Sequence, residues 1–224
     1  RLRLLGIPAL YIDDGWMSDV QPEDVISEET RNEVTKQVRQ FFSGPVTSPS
    51  SLKNVVGVKR LGQAVISIID QILNSPGIVV DLTDIRSLDE YTFGHSVNVC
   101  VLAIITGTHL GYSKAKLFHL AMGALLHDIG KIRVPKHILN KPGKLTETEF
   151  KEVKKHTEYG YEILRQKPNV SLLSALVAKQ HHERYNGQGY PDNLNNDDIH
   201  EFARVTGMVD MYDALTADRV YRRA

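Results

Sequence analysis

Apolar residues recur at helical spacing through most of the chain. In ISEETRNEVTKQVRQFF, Ile26, Val34, Val38 and Phe41 share one face, and Ser27 stands where an N-cap belongs. A second long helix is predicted over 54–74, stopped by Pro76, and a third over about 89–110, closed by Gly111. A short helix is expected around 78–85. Ser113 caps KAKLFHLAMGALLHD, and Thr146 with Glu149 forms a capping box for one helix that carries His156 and ends before Pro168. Helices over 170–183 and 199–215 complete the pattern, separated by the glycine-rich loop RYNGQGYPDNLNNDD. SGPVTSPSS, residues 43–51, reads as a linker. Only RLRLLGIPALYIDD at the start has β-branched and aromatic residues between turn formers, which predicts a short strand. A lone strand is unstable, so residues 1–26 are read as the tail of a truncated regulatory domain. Residues 27–224 then form a single all-α bundle, with leading helices over 27–75 and a core over 76–224. No strand pattern follows residue 20, and no internal repeat is visible.

Composition narrows the function. The chain has 224 residues, 42% of them hydrophobic and 24% charged, the range of an ordinary globular protein. A net charge of zero gives no global attraction for a nucleic-acid polymer or a membrane surface, so any affinity for phosphate is local. No apolar run approaches the roughly 20 residues of a membrane span. The single cysteine, Cys100, excludes an internal disulfide, suits a reducing cytoplasm, and reads as core within VNVCVLAII.

The chemistry starts at LLHDIGK. His127 and Asp128 offer an imidazole nitrogen and a carboxylate oxygen at one point of the backbone, and the second oxygen of Asp128 can bridge to another cation. Gly130 is read as the residue that turns the chain. Lys131, one helical turn after His127, points to an anionic substrate, most simply a phosphate. Further ligand types lie at or near the ends of successive helices: His95, His156, the pair His181 and His182, and Asp210, between 25 and 32 residues apart. Such spacing lets each helix of a bundle present its ligand at a common level. Asp210 lies between Val209 and Met211 on a helix that reads as largely buried, where a carboxylate needs a cation or strong donors. The set suffices for two divalent metals: one on His95, His127, Asp128 and Asp210, the other on Asp128, His156, His181 and His182. Open positions for water would make the centre catalytic. His109, His119, His137 and His200 are left as structural or exposed.

His95, HDIGK, the isolated His156 in KKHTEYG, HHERYNGQGYP and DMYDALTADRVYR together resemble the HD-GYP family of metal-dependent phosphohydrolases. The resemblance runs from about Ser27 to the end, and the opening YIDD resembles the junction after a small regulatory domain in some bacterial members. It implies an HD-type bundle and hydrolysis of the bacterial second messenger cyclic di-GMP to pGpG or GMP. The implied metals are iron or manganese, with zinc, nickel or cobalt acquired in preparation. Members with a third metal carry a glutamate four residues before the first histidine; Tyr91 stands there, which implies two metals. Asn186 and Val220 depart from the family's usual aspartate and proline without touching a proposed ligand.

On that reading a hydroxide held between the metals attacks phosphorus, with Asp128 and Lys131 as the catalytic groups. Lys131 would contact the phosphate and protonate the leaving group. Arg219 and Arg222 match the family's phosphate contacts, where guanidinium forks suit bidentate binding. Arg184 is a further substrate contact, and Tyr190 would stack on guanine or support a protein contact. Gly187, Gly189 and Pro191 fix the shape of the loop. The resemblance also implies diguanylate cyclase domains as partners of the GYP loop, and a homodimer. Alternatives are an HD phosphohydrolase acting on another nucleotide, such as cyclic GMP-AMP, or a catalytically weak receptor or interaction module for cyclic di-GMP.

Overall fold

The computed structural model describes residues 25–43, 52–74 and 91–216. The strand expected over 1–14, the linker residues 44–51, the short helix over 78–85, Arg219, Val220 and Arg222 lie outside the described residues, as does the side chain of Tyr91.

Local chemistry sets most helix starts. Ser27 Oγ accepts from the Thr30 amide and opens α1, Glu28–Ser43, whose Val34, Val38 and Phe42 are buried. Phe42 rather than Phe41 takes the deep position; Phe41 packs at the margin of the core. α2 spans Leu52–Asn74 and packs along α1. α3, Tyr91–His109, is apolar on nearly every face and sits in the centre. Cys100 is fully buried there, and burial pushes its thiol up to about 12, as a core residue requires. At its end Gly111 adopts φ 73°, and the Tyr112 amide bonds back to the Gly107 carbonyl. α4, Lys114–Leu126, starts from the Ser113 cap and is buried along most of its length.

One expected element is two. The Thr146–Glu149 capping box forms and opens α6, Glu147–Lys154, after the single-turn α5, Lys136–Leu139. The chain then breaks at Lys155, and a separate α7, His156–Arg165, begins with the histidine itself. α8, Leu172–Gln180, and α9, Glu201–Thr216, lie within two or three residues of the expected bounds. α9 is less buried than expected, because Met208 and Met211 face outward. α4 packs on α3 and α8, α7 on α8, and α9 on α3 and α8. Among the described residues there is no strand, only an isolated bridge between Asn186 and Asn195 within the glycine-rich loop. The fold is all-α.

Candidate metal centre

Packing of these helices brings all seven predicted ligand residues together. His95 comes from the second turn of α3, His127 caps the C-terminus of α4, and Asp128 precedes a 3-10 turn, Ile129–Arg133. His156 opens α7, His181 caps α8 with His182 next to it, and Asp210 lies within α9. Gly130 does not turn the chain through a left-handed conformation. Its role is close approach: a Cβ there would lie 1.9 Å from the His156 carbonyl oxygen, so only glycine lets the 3-10 turn meet the start of α7.

Ligand atoms of His95, His127 and Asp128 lie within 4.8 Å of one another, and so do those of His156, His181 and His182. Asp210 Oδ1 joins the first group, 3.1 Å from His95 Nε2 and 3.8 Å from His127 Nε2. Asp128 Oδ1 reaches the second, 3.4 Å from His156 Nε2 and 3.9 Å from His181 Nε2. The histidines are aimed. Nδ1–H of His127 donates to the Ala124 carbonyl and that of His156 to the Val153 carbonyl, both at 2.7 Å. His181 Nδ1 bonds the carbonyls of Val177 and Ala178. A proton held on Nδ1 leaves the Nε2 lone pair free for the centre. His109, His119, His137 and His200 stay outside the cluster.

Charge is arranged accordingly. Burial opposes ionisation of Asp128, yet Lys131 and then His127 outweigh it and hold its carboxyl well below the usual range. Burial likewise opposes charge on Asp210, and the His95 hydrogen bond outweighs it, giving about 2. Burial lowers His156 and His181 and brings His182 down to about 3, so these imidazoles stay neutral. His95 is the exception: burial works against its charge, but Asp210 and Asp213 prevail and raise it to about 9.

Two buried atoms at the centre, His127 Nε2 and Asp128 Oδ1, have no hydrogen-bond partner. Orphaned polar atoms cost free energy unless something satisfies them. Five converging imidazoles beside two carboxylates, with no thiolate, fit divalent cations taken by nitrogen and oxygen. No anion would fit so electron-rich a set.

Lys131 Nζ bonds Asp128 Oδ2 while the side chain remains about one-third exposed, which places it between the buried centre and solvent. Tyr190 stacks on His182, with ring centroids 4.7 Å apart and planes at 29°, and Lys154 Nζ lies 4.9 Å from the Tyr190 ring centre. Arg184 stands in solvent.

Three residues not singled out from the sequence shape the site. Glu183 is buried and accepts from the amides of Asp192 and Leu194, latching the GYP loop to the histidine pair. Asp213 Oδ2 accepts from His95 Nδ1 at 2.7 Å, and Asn98 Nδ2 donates to Asp213 Oδ1 at 3.1 Å. Spacing offered a signal for Asp213: three residues after Asp210, it falls on the same face of α9.

Comparison with known proteins agrees with this picture. A family model described as HD domain matches residues 84–224. The chain belongs to the HD domain family, and the HD-GYP resemblance read from its motifs stands with it. It is 40% identical over 173 residues to the cyclic di-GMP phosphodiesterase PA4108 of Pseudomonas aeruginosa, covering 73% of this chain and 42% of that protein. With the 3'3'-cGAMP-specific phosphodiesterase 3 of Vibrio cholerae it shares 42% identity over 134 residues, 60% of this chain and 29% of that one. The chain thus spans less than half the length of these relatives. Bd1817, a HDG"Y"P protein from Bdellovibrio bacteriovorus, has the same fold: TM-score 0.62 at 21% identity, covering 88% of this chain and 63% of that chain. Among the described residues no helix is long and apolar enough to cross a membrane.

Proposed function

We propose that this chain is a phosphodiesterase that hydrolyses cyclic di-GMP to pGpG or GMP with two divalent cations. The observation that carries the reading is the pair of orphaned buried atoms, His127 Nε2 and Asp128 Oδ1, at the meeting point of five imidazoles and two carboxylates. His95, His127, Asp128 and Asp210 would hold one cation, and Asp128, His156, His181 and His182 the other. Iron or manganese suits this thiolate-free set. Bound there, such cations supply Lewis acidity toward a phosphodiester and lower the pKa of water toward neutrality.

The chain's own groups do the rest. Tethered Nδ1 atoms keep the imidazoles fixed, so no reorganisation is needed when substrate arrives. Lys131 neutralises Asp128 when the site is free and, from its partly exposed position, would meet a non-bridging phosphate oxygen when it is filled. Its ammonium would also give a proton to the departing ribose oxygen. Arg184 extends the cationic rim; Arg219 and Arg222 would contact phosphate on the family pattern alone. Tyr190, stacked on His182 and covered by Lys154 Nζ, stands where a guanine base or a protein contact would meet the loop. The exposed rim of the loop, Arg184 with Tyr185, is where a diguanylate cyclase domain would dock. The setting is the bacterial cytoplasm, where cyclic dinucleotides act.

A second reading keeps the site and changes the base: the similarity to a 3'3'-cGAMP-specific phosphodiesterase favours cyclic GMP-AMP as substrate. Anaerobic loading with iron or manganese, followed by chromatography of each dinucleotide after incubation, decides. Appearance of pGpG or GMP from cyclic di-GMP is expected; intact cyclic di-GMP with hydrolysed cyclic GMP-AMP would transfer the proposal to the second substrate. Two bound cations with both dinucleotides intact would overturn the enzymatic reading.

A further inference from the structure

The hydrogen bonds behind His95 do not stop at Asp213. Asn98 bonds Asp213 with its amide nitrogen and turns its Oδ1 to Arg31 Nη1, 2.9 Å away and buried. Arg31 belongs to α1, which precedes the stretch that the HD domain model matches. Its side chain is 5% exposed, an unusual place for a guanidinium.

Donor and acceptor roles along this line are forced. A guanidinium only donates, so Asn98 must face it with oxygen. The amide nitrogen of Asn98 then points at Asp213 and donates to its Oδ1. Asp213 in turn accepts from His95 Nδ1–H, which fixes the ring so that Nε2 is the atom facing Asp210 and the centre. Reversal of the Asn98 amide would set its nitrogen against Arg31 and its oxygen against the Asp213 carboxylate, donor facing donor and acceptor facing acceptor. Arg31 therefore selects the orientation of every group that follows it.

We propose that Arg31 is a positioning residue for the half of the centre built on His95, acting through Asn98 and Asp213. The leading helix is thereby wired to the site: Ser27 and Thr30 tie α1 to Gln71 of α2, and Arg31 ties it to His95. A shift of α1 would release the Asn98 amide and loosen one cation, while His156 and His181 in the other half keep their own tethers to local carbonyls.

The inference rests on the two-cation reading, and its test reads metal binding rather than hydrolysis. The 224-residue chain is titrated with Mn(II) and followed by electron paramagnetic resonance, which separates isolated from exchange-coupled ions. Wild type should pass to a coupled signal at two equivalents. Arg31→Met should weaken one of the two sites about 10- to 100-fold, the range for a group that orients a ligating histidine. It should then show isolated Mn(II) where wild type is coupled. Asp213→Asn should weaken the same site, and the double variant should be no weaker than Asp213→Asn alone, because both act on one line of bonds. Should Arg31→Met fail to fold by circular dichroism, Asn98→Leu, which cuts the line at its middle, is judged by the same criterion. Folded variants with wild-type affinity at both sites, or losses that add in the double variant, would overturn the relay alone. A wild-type chain that binds no Mn(II) would overturn the metal reading and the relay with it.

Discussion

Asp128 is the one side chain shared by both halves of the site, and its two oxygens divide the work: Oδ1 faces His156 and His181, while Oδ2 faces His127 and Lys131. Asp128→Ala should therefore remove both cations and reduce hydrolysis to background, measured by metal counting beside turnover. Retained turnover would exclude a shared carboxylate. The histidines around it make the metal-free protein sensitive to acid. In the unfolded chain each titrates near 6.5. Folded, His156 and His181 are lowered and His182 falls to about 3, so the unfolded state binds more protons once pH drops below 6.5. Stability from these three is present above 6.5 and is lost as pH falls toward 3. His95 runs the other way: raised to about 9, it stabilises below 6.5 and loses that contribution as pH rises through 9. Three groups oppose one, so the unfolding midpoint of chelator-treated protein should fall between pH 7 and pH 5. An unchanged or rising midpoint would mean the three imidazoles are not held neutral by burial. The candidate ligand residues were legible in the sequence because each stands in a segment that resembles the HD-GYP motifs. Asp213 left only its spacing from Asp210 as a signal, and Arg31 and Asn98 left none, because their bonds join residues 67 and 115 positions apart and no local pattern records such a pairing.

Elements place these groups through two devices, one visible in the sequence and one hidden. Caps were visible: Ser113, Thr146 with Glu149 and Gly111 open or close helices where local hydrogen bonding demands it. The break between α6 and α7 was hidden, since VKKHTEYG has neither glycine nor proline before it. Its reason is tertiary: His156 must start a helix so that its Nδ1 can bond the Val153 carbonyl while its Nε2 turns inward. Gly130 holds that start against the 3-10 turn. Gly130→Ala would set a methyl 1.9 Å from the His156 carbonyl oxygen and 2.5 Å from the Gly160 nitrogen, backbone atoms that cannot swing aside. A loss of about 3 kcal/mol in denaturant unfolding is expected, the upper end for overpacking. A neutral result would mean that the turn and α7 are not in contact. Glu183 does the same service for the GYP loop. Glu183→Gln replaces one acceptor by a donor that faces a backbone N–H, at about 1–3 kcal/mol. Expected are faster proteolysis within 184–198 and a raised KM, with both cations retained; unchanged proteolysis would show that the loop holds its shape without the latch.

At the scale of the molecule, the centre joins elements that are far apart in the chain. α3, α4, α7, α8 and α9 each contribute a ligand-type residue, and the same helices pack on one another around a common core. A cation bound there closes a cross-link that the unfolded chain does not form, so binding and folding are coupled. At a free concentration one hundred times its dissociation constant, one cation adds about 2.7 kcal/mol. For a domain of this size each kcal/mol moves the thermal midpoint by about 2–4 °C. Adding Mn(II) to chelator-treated protein should thus raise the midpoint by roughly 5–10 °C for each site filled. The shift should vanish in Asp128→Ala. It should also survive in Lys131→Met, because Lys131 lies at the partly exposed edge of the centre and is not one of the seven candidate ligands. Equal shifts in wild type and Asp128→Ala would place the cation elsewhere on the molecule; no shift in wild type would mean that the helix ends meet without a metal to hold them.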